Sequence, residues 1–472
     1  MKSKKFVLAA LALLAITGLL ALSGCKNDSV PPEATSGTET KPVTHTVTFN
    51  ANGGSTVASQ TVERGQKAKE PTADPTLEGS WFLGWYSDEG LANEFDFNTP
   101  ITTATTVYAK WSYKLHTKPT TLTNYTSSHA PEGEWTYVVF GDWPQNILKG
   151  DVEVYESEGK QMGLFTYYLG SDGNHYVKAE ENACEAGYKY SDDSDVNQKN
   201  ESSSPSTRWF KVEPIVWRVL TEDYKDPEGK STGNALLLAE SILTGGVPYY
   251  VSTDTREITK EKETGTETET ETVTVYPNNW QYSTIRAWLN GLDVVKSDDV
   301  QENDTTYTGK GFLQTAFTES ARDLIADTTV DNSAASTNPA SDPNLWKNGE
   351  NPYACDNTTE KIFLLSEEEA TTGAHLKADE DYGFDEYSDS GEGNTRIRVT
   401  TDYAKATGAY QDSTEGYGGW WWLRSPSCLN ENLARGIVSI GDAYDRNYNV
   451  NPTYNVNPTS GGVVPALSIS LQ

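Results

Sequence analysis

Near its end the chain gathers side chains that could read a partner by hydrogen bonding. They are Asn430, Asn432, Arg435, Asp442, Tyr444, Asp445, Arg446, Asn447, Tyr448, Asn449, Asn451, Tyr454 and Asn455. Tyrosine offers rigid amphipathic contact area, and asparagine and aspartate offer adaptable hydrogen bonds, so the chemistry expected here is recognition. Catalytic spacing is missing elsewhere. The five histidines, His45, His116, His129, His175 and His375, do not stand at zinc-ligand spacing with another histidine or cysteine. Ser425 and Ser427 lack a nucleophile-elbow context. The acidic runs 192–195 and 378–381 lack the spacing of a calcium-binding loop. No metal, cofactor or enzyme activity is therefore expected, although a facing pair of carboxylates would emerge only in the fold.

A polar segment of this kind needs a frame to hold it. Trp420, Trp421, Trp422 and Leu423 are too bulky and apolar to lie in water, so they predict a buried strand or corner. Pro426 ends that run. Ala434 to Ile440 reads as a second strand closed by a Gly441-Asp442 turn. From Pro465 to Leu471 apolar residues alternate with small or polar ones, which predicts a strand with one buried face. Trp421, Trp422, Arg424, Pro426, Gly462 and Pro465 are the expected structural residues of this frame.

Upstream, strands are expected over Trp135–Phe140, over Arg208–Leu220 with a break at Pro214, and over Ala235–Ala239, the last fully buried. Ser283 should cap a helix stopped by Gly291, and Phe317-Thr318 should start another. A strand at Lys361–Leu365 leads into a capping box at Ser366 and Glu369 for a third helix. Polar inserts at 190–206, 328–353 and 377–395 separate these elements. The Thr-Glu run 259–273 reads as an exposed, mobile excursion.

At the start, Lys2, Lys4 and Lys5 precede an apolar run from Phe6 to Leu22, the pattern of a secretory signal. Leu22-Ser23-Gly24-Cys25 resembles the lipobox of bacterial lipoproteins, which implies cleavage before Cys25 and acylation of its thiol. Residues 26–43 are Ser, Thr, Pro, Glu and Gly with almost nothing to bury, a tether. The formal net charge is −31, which argues against nucleic acid and anionic lipid as partners. Beyond Cys25, three cysteines remain: Cys184, Cys355 and Cys428. Either one disulfide plus one thiol or three free thiols fits.

Two resemblances follow from motifs. V-x-F-x-x-N-G-G from Val47, F-x-G-W-Y from Phe82 and V-Y-A-K-W from Val107 resemble the internalin B-repeat family, which implies a small β-grasp-like module over 46–112. From F-G-D-W-P-Q at Phe140 through W-W-L-R-S-P at Trp421, the rest resembles an uncharacterised domain family of exported bacterial proteins. Its ending departs from that pattern, since Val464 stands where an arginine is expected; that contact is either lost or made elsewhere, with Arg424 the candidate to supply it. The ending also looks like C-type-lectin-like domains of the formylglycine-generating-enzyme type, but without their reactive cysteine pair. Some of those are targets of diversity-generating retroelements, which would predict substitutions confined to 427–460 among copies of the gene.

The sequence thus implies an α+β chain. Residues 1–24 are a lipoprotein signal peptide, 25–44 a lipidated cysteine and disordered tether, 45–112 the repeat module and 113–134 a linker. Residues 135–472 form a larger mixed, mainly antiparallel β domain with short helices. The expected role is binding or adhesion at the cell surface, anchored to the membrane by lipid, with an extracellular protein or glycan as ligand. A structural envelope protein without a ligand and a carbohydrate-active enzyme are the alternatives.

Overall fold

The computed structural model describes residues 41–127, 135–181, 188–196, 206–252, 254–264, 267–294, 306–337, 351–370, 382–384, 395–414, 417–439, 447–449 and 460–471. For residues 158, 261–264, 267–269 and 447–449 only the backbone is described.

The repeat module is one sheet of β1 (Thr44–Asn50), β2 (Gln60–Glu63), β3 (Phe82–Tyr86) and β4 (Thr105–Trp111) in the order β2-β1-β4-β3. Its central pair β1–β4 runs parallel, and β2 and β3 flank it antiparallel. Alternation in β1 sends Val47 and Phe49 into the core, where Phe49 meets the edge of Trp85 at 4.9 Å between ring centroids. The turn residues Asn52 and Gly53 take φ of 46° and 91°, the left-handed backbone that asparagine and glycine tolerate.

The polar stretch expected to be a linker is partly built into the next sheet. Within it β5 (Thr120–Leu122) pairs with β6 (Tyr137–Ile147), and Leu115 is buried with Tyr167, Val177 and Val212. Then come β7 (Val154–Met162), β8 (Phe165–Gly170), β9 (His175–Glu180), the long β10 (Thr207–Thr221) and β11 (Ala235–Ala239). Pro214 does not break β10. A register shift between Pro214 and Val216 absorbs the missing N–H, and Gln145 Nε2 donates to the carbonyls of Glu213 and Pro214 at 3.1 and 2.8 Å. Every residue of β11 is buried, as its apolar run predicts.

After β12 (Ser241–Ile242), β13 (Arg256–Thr264) and β14 (Glu267–Val275) pair over nine residues each. The Thr-Glu run thus forms a regular antiparallel ribbon, as the β propensity of its alternating threonines favours. Helix α1 (Thr284–Asn290) has Ser283 accepting from Arg286 N and Gly291 left-handed at its end, as expected. The helix α2 (Phe312–Ala316) was not anticipated; α3 (Glu319–Arg322) is capped by Thr318. Next are β15 (Thr328–Val330), α4 (Ala334–Thr337), β16 (Thr358–Glu360), β17 (Ile362–Phe363), α5 (Glu367–Ala370), β18 (Val399–Thr400) and α6 (Asp402–Ala406). The chain closes with β19 (Trp421–Pro426), β20 (Leu433–Ile437), β21 (Asn447–Asn449) and β22 (Ala466–Ile469).

These elements assemble a nine-stranded antiparallel sheet, β17-β22-β11-β10-β9-β8-β7 with β6 and β5 on β10's other edge, beside a three-stranded sheet β19-β20-β21. The described helices are four to seven residues long, so the chain is mainly β rather than α+β in balance. Strand β22 corrects the one-face expectation. It lies between β17 and β11, and all four of its residues are buried, Ser468 included. Trp143, Trp217, Trp280, Trp421 and Trp422 are fully buried in the shared core.

Candidate functional site

The polar C-terminal segment springs from β19 and β20, and two buried arginines brace these strands. Arg424 on β19 ion-pairs with Glu369 and donates to the carbonyls of Leu364 (2.8 Å) and Asp331 (3.1 Å). Arg435 on β20 ion-pairs with Glu367 at 3.0 Å. Both carboxylates come from α5, whose start is the expected capping box: Ser366 N donates to Glu369 Oε2 (2.7 Å) and Glu369 N to Ser366 Oγ (3.1 Å). Tyr224 Oη adds a 2.6 Å hydrogen bond to Glu369. One helical turn thus clamps two strands. Burial raises the Glu367 carboxyl to about 7, against the opposing pull of the Arg435 guanidinium. Around Arg424, burial is outweighed by Glu369, and the guanidinium is held firmly charged.

Arg435 was expected on the reading surface. It is only 3% exposed and belongs to the frame, because a guanidinium this deep needs the Glu367 partner. Asn430 is exposed, and its Oδ1 accepts from Asn432 N at 2.8 Å; Asn432 is half-buried. A residue that sequence reading missed pins their turn: Nδ2 of the fully buried Asn278 donates to the carbonyls of Ser427, Asn430 and Leu433 at 3.3, 3.1 and 3.0 Å. The Pro277-Asn278-Asn279 run gave no local signal for this role, since its partners lie about 150 residues away.

Asn447, Tyr448 and Asn449 form β21, paired through their backbone with Arg435, Ala434 and Leu433. Asp442, Tyr444, Asp445, Arg446, Asn451, Tyr454 and Asn455 lie outside the described residues. The ends of their segment are well defined. Gly418 N donates to Ser439 O, and Tyr410 N donates to Ser460 O, both at 2.9 Å. Gly462 then locks onto the tryptophan strand, donating to Trp420 O (2.9 Å) and accepting from Trp422 N (3.0 Å). A side chain at Gly462 would press on Ile242 at 2.5 Å. Trp421, Trp422, Arg424, Pro426, Gly462 and Pro465 are all buried, as is Val464.

Among the described residues no group of three His, Cys, Asp or Glu could hold a metal ion. Cys355 and Cys428 are free thiols, both raised by burial, the first to about 11; Cys25 and Cys184 lie outside the described residues. The histidines that are described sit at the module junction or in the module. His116 Nδ1 lies 3.0 Å from Oδ1 of the buried Asp142, and His175 Nε2 lies 3.1 Å from Ser112 Oγ. No described helix is long and apolar enough to cross a membrane.

Comparison with known proteins agrees with the modular layout. Residues 45–110 match the Listeria-Bacteroides repeat domain. Over 163 residues the chain is 30% identical to a provisionally named membrane protein of Evansella cellulosilytica, covering 30% of this chain and 24% of that one. Over 73 residues it is 41% identical to a provisionally named Gly-rich membrane protein of the same organism, covering 15% and 8%. The chain therefore spans a quarter or less of these relatives. No solved structure matches it significantly. Residues 232–471 match a domain of unknown function, so the match opens just before β11 although β5 to β10 share its sheet. With half of its length inside that match, the chain belongs to the family of domains of unknown function designated DUF6273.

Proposed function

We propose that this chain is a lipid-anchored envelope protein whose C-terminal domain binds a ligand through the polar 430–460 segment. The observation that carries the reading is the common root of that segment. Ser439 and Ser460, which bracket residues 440–459 within it, are bonded to Gly418 and Tyr410 of one short stretch that closes on itself through Asp412 N and Gly418 O. A loop tethered at one rigid place can vary in sequence without disturbing the core, the arrangement used by binding loops on rigid scaffolds. The lectin-like reading of the ending, and diversification of its asparagines, rest on the order of elements and on composition. Relatives named as membrane proteins favour an envelope location, and Cys25 is the proposed anchor.

A glycan and protein array probed with the full-length chain in mild detergent tests this. Alanine at Tyr444, Tyr448 and Tyr454 together should weaken capture of the ligand by tenfold or more, on the order of 1.4 kcal/mol. Unchanged capture would remove the segment from the role. In fractionated cells that express the chain, Cys25→Ser should shift it from the membrane fraction to the soluble one.

A further inference from the structure

A second place in the molecule has the character of a ligand site, and it lies far along the chain from the polar segment. Where the repeat module meets the large domain, a cleft of about 750 Å³ opens between β3–β4 on one side and the β7–β9 turns on the other. Its size falls in the range that takes a small ligand, and domain junctions are where such sites concentrate. The lining rings are Phe82, Tyr86, Trp111, Tyr113 and Tyr155. All five are half-buried, so each is held by packing yet keeps part of its surface open. Hydrogen-bonding groups stand on the opposite wall, in the β8–β9 turn. Asp172 stiffens that turn by accepting from Asn174 N (3.1 Å), Asn174 Nδ2 (2.7 Å) and Tyr176 Oη (2.8 Å). Ser171 Oγ accepts from Glu153 N at 3.1 Å and keeps its own proton to donate.

The walls are locked together before any ligand arrives. Tyr113 N donates to Gly173 O at 2.9 Å, Ser112 Oγ meets His175 Nε2 at 3.1 Å, and the Trp81 and His175 rings lie 4.4 Å apart. Charge decides the ligand class. The lining holds one cation, Lys110, and one anion, Asp172. Lys110 Nζ already sits 4.6 Å above the Tyr86 ring. On a chain of net charge −31, a lone lysine gives an anionic ligand little to hold. What remains is a set of aromatic faces beside neutral donors and acceptors. Sugar rings fit that set, since they offer C–H faces to stack on aromatics and a rim of hydroxyls to hydrogen-bond.

We propose that this junction cleft binds a neutral oligosaccharide. The proposal is independent of the 430–460 segment, and its test separates the two. The full-length chain in mild detergent is titrated with cellohexaose, xylohexaose, laminarihexaose, mannohexaose and chitohexaose, followed by calorimetry and tryptophan fluorescence. At least one should bind saturably at one site per chain. Tyr155→Ala should weaken that binding about tenfold through loss of a stacking face. Ser171→Trp, at an exposed turn position, should block it by filling the cleft. Both variants should unfold at the wild-type urea midpoint, and alanine at Tyr444, Tyr448 and Tyr454 should leave the binding unchanged. The proposal is overturned if none of the five binds, or if binding survives both cleft variants. It is equally overturned if a proline-rich peptide, and no sugar, binds in a manner sensitive to Tyr155→Ala.

Discussion

Two buried acid–base pairs, Arg424–Glu369 and Arg435–Glu367, have different surroundings although one helical turn supplies both carboxylates. Glu369 is met by a guanidinium, a tyrosine hydroxyl and a backbone N–H, and Arg424 also finds two carbonyls. Glu367 has Arg435 and little else, so burial dominates and its carboxyl rises from 4.5 to about 7. The folded chain then holds that proton more tightly than the unfolded chain does between those values. Stability from this group is present below pH 4.5 and is lost as pH rises through about 7. Urea unfolding of the wild type and of Glu367→Gln should therefore diverge with pH. Wild-type stability relative to the variant should fall by about 3 kcal/mol across that window. Parallel profiles would mean that Glu367 stays ionised.

Among the elements, the β13–β14 ribbon stands as a sheet of its own. Among the described residues its two strands pair only with each other, and the side chains described as buried, Arg256, Ile258 and Val275, lie at its base. An isolated two-stranded ribbon is marginal in water, so its far half should add little to the stability of the domain. Replacing residues 261–270 by a two-residue Asn-Gly turn should change the unfolding free energy by less than about 1 kcal/mol. A loss of several kcal/mol would show that the ribbon packs on something. By contrast β10 is shared by three neighbours, β6, β9 and β11, and is the spine on which the repeat-facing strands and the family-matched strands meet.

For the whole molecule, the decisive contact is the junction of module and domain. His175 is fully buried there against Trp81 and Ser112, and desolvation, helped by the Lys160 charge, lowers its imidazole to about 4. Between pH 6.5 and 4 the unfolded or undocked chain binds the proton that the docked chain refuses. Stability from this group is complete above pH 6.5 and is lost as pH falls through about 4. The protection factors for hydrogen exchange at Tyr113 and Leu115, whose amides bond to Gly173 and Gly79, should fall on acidification through that range. In His175→Gln the same amides should show a flatter pH dependence, by up to about 3 kcal/mol in protection. Equal profiles in both proteins would exclude His175 as the cause.

What the sequence by itself determined were features written within a few residues of each other. Ser283 and Gly291 bound α1, Ser366 and Glu369 close on each other, Ala235–Ala239 is buried throughout, and the tryptophan run lies in the core. Local hydrogen bonds and apolar runs need no knowledge of distant partners. Tertiary structure alone decided which groups meet across long separations. It turned Arg435 inward onto Glu367, placed Asn278 under the Asn430 turn, made Pro214 a bulge opposite Asp142, and buried Ser468 between two strands. A period of two identifies a strand but not how many of its faces are covered, because that depends on which layers pack over it. The junction cleft is of the same kind: no neighbouring residues in the chain announce a space that exists only once two distinct sheets are locked side by side.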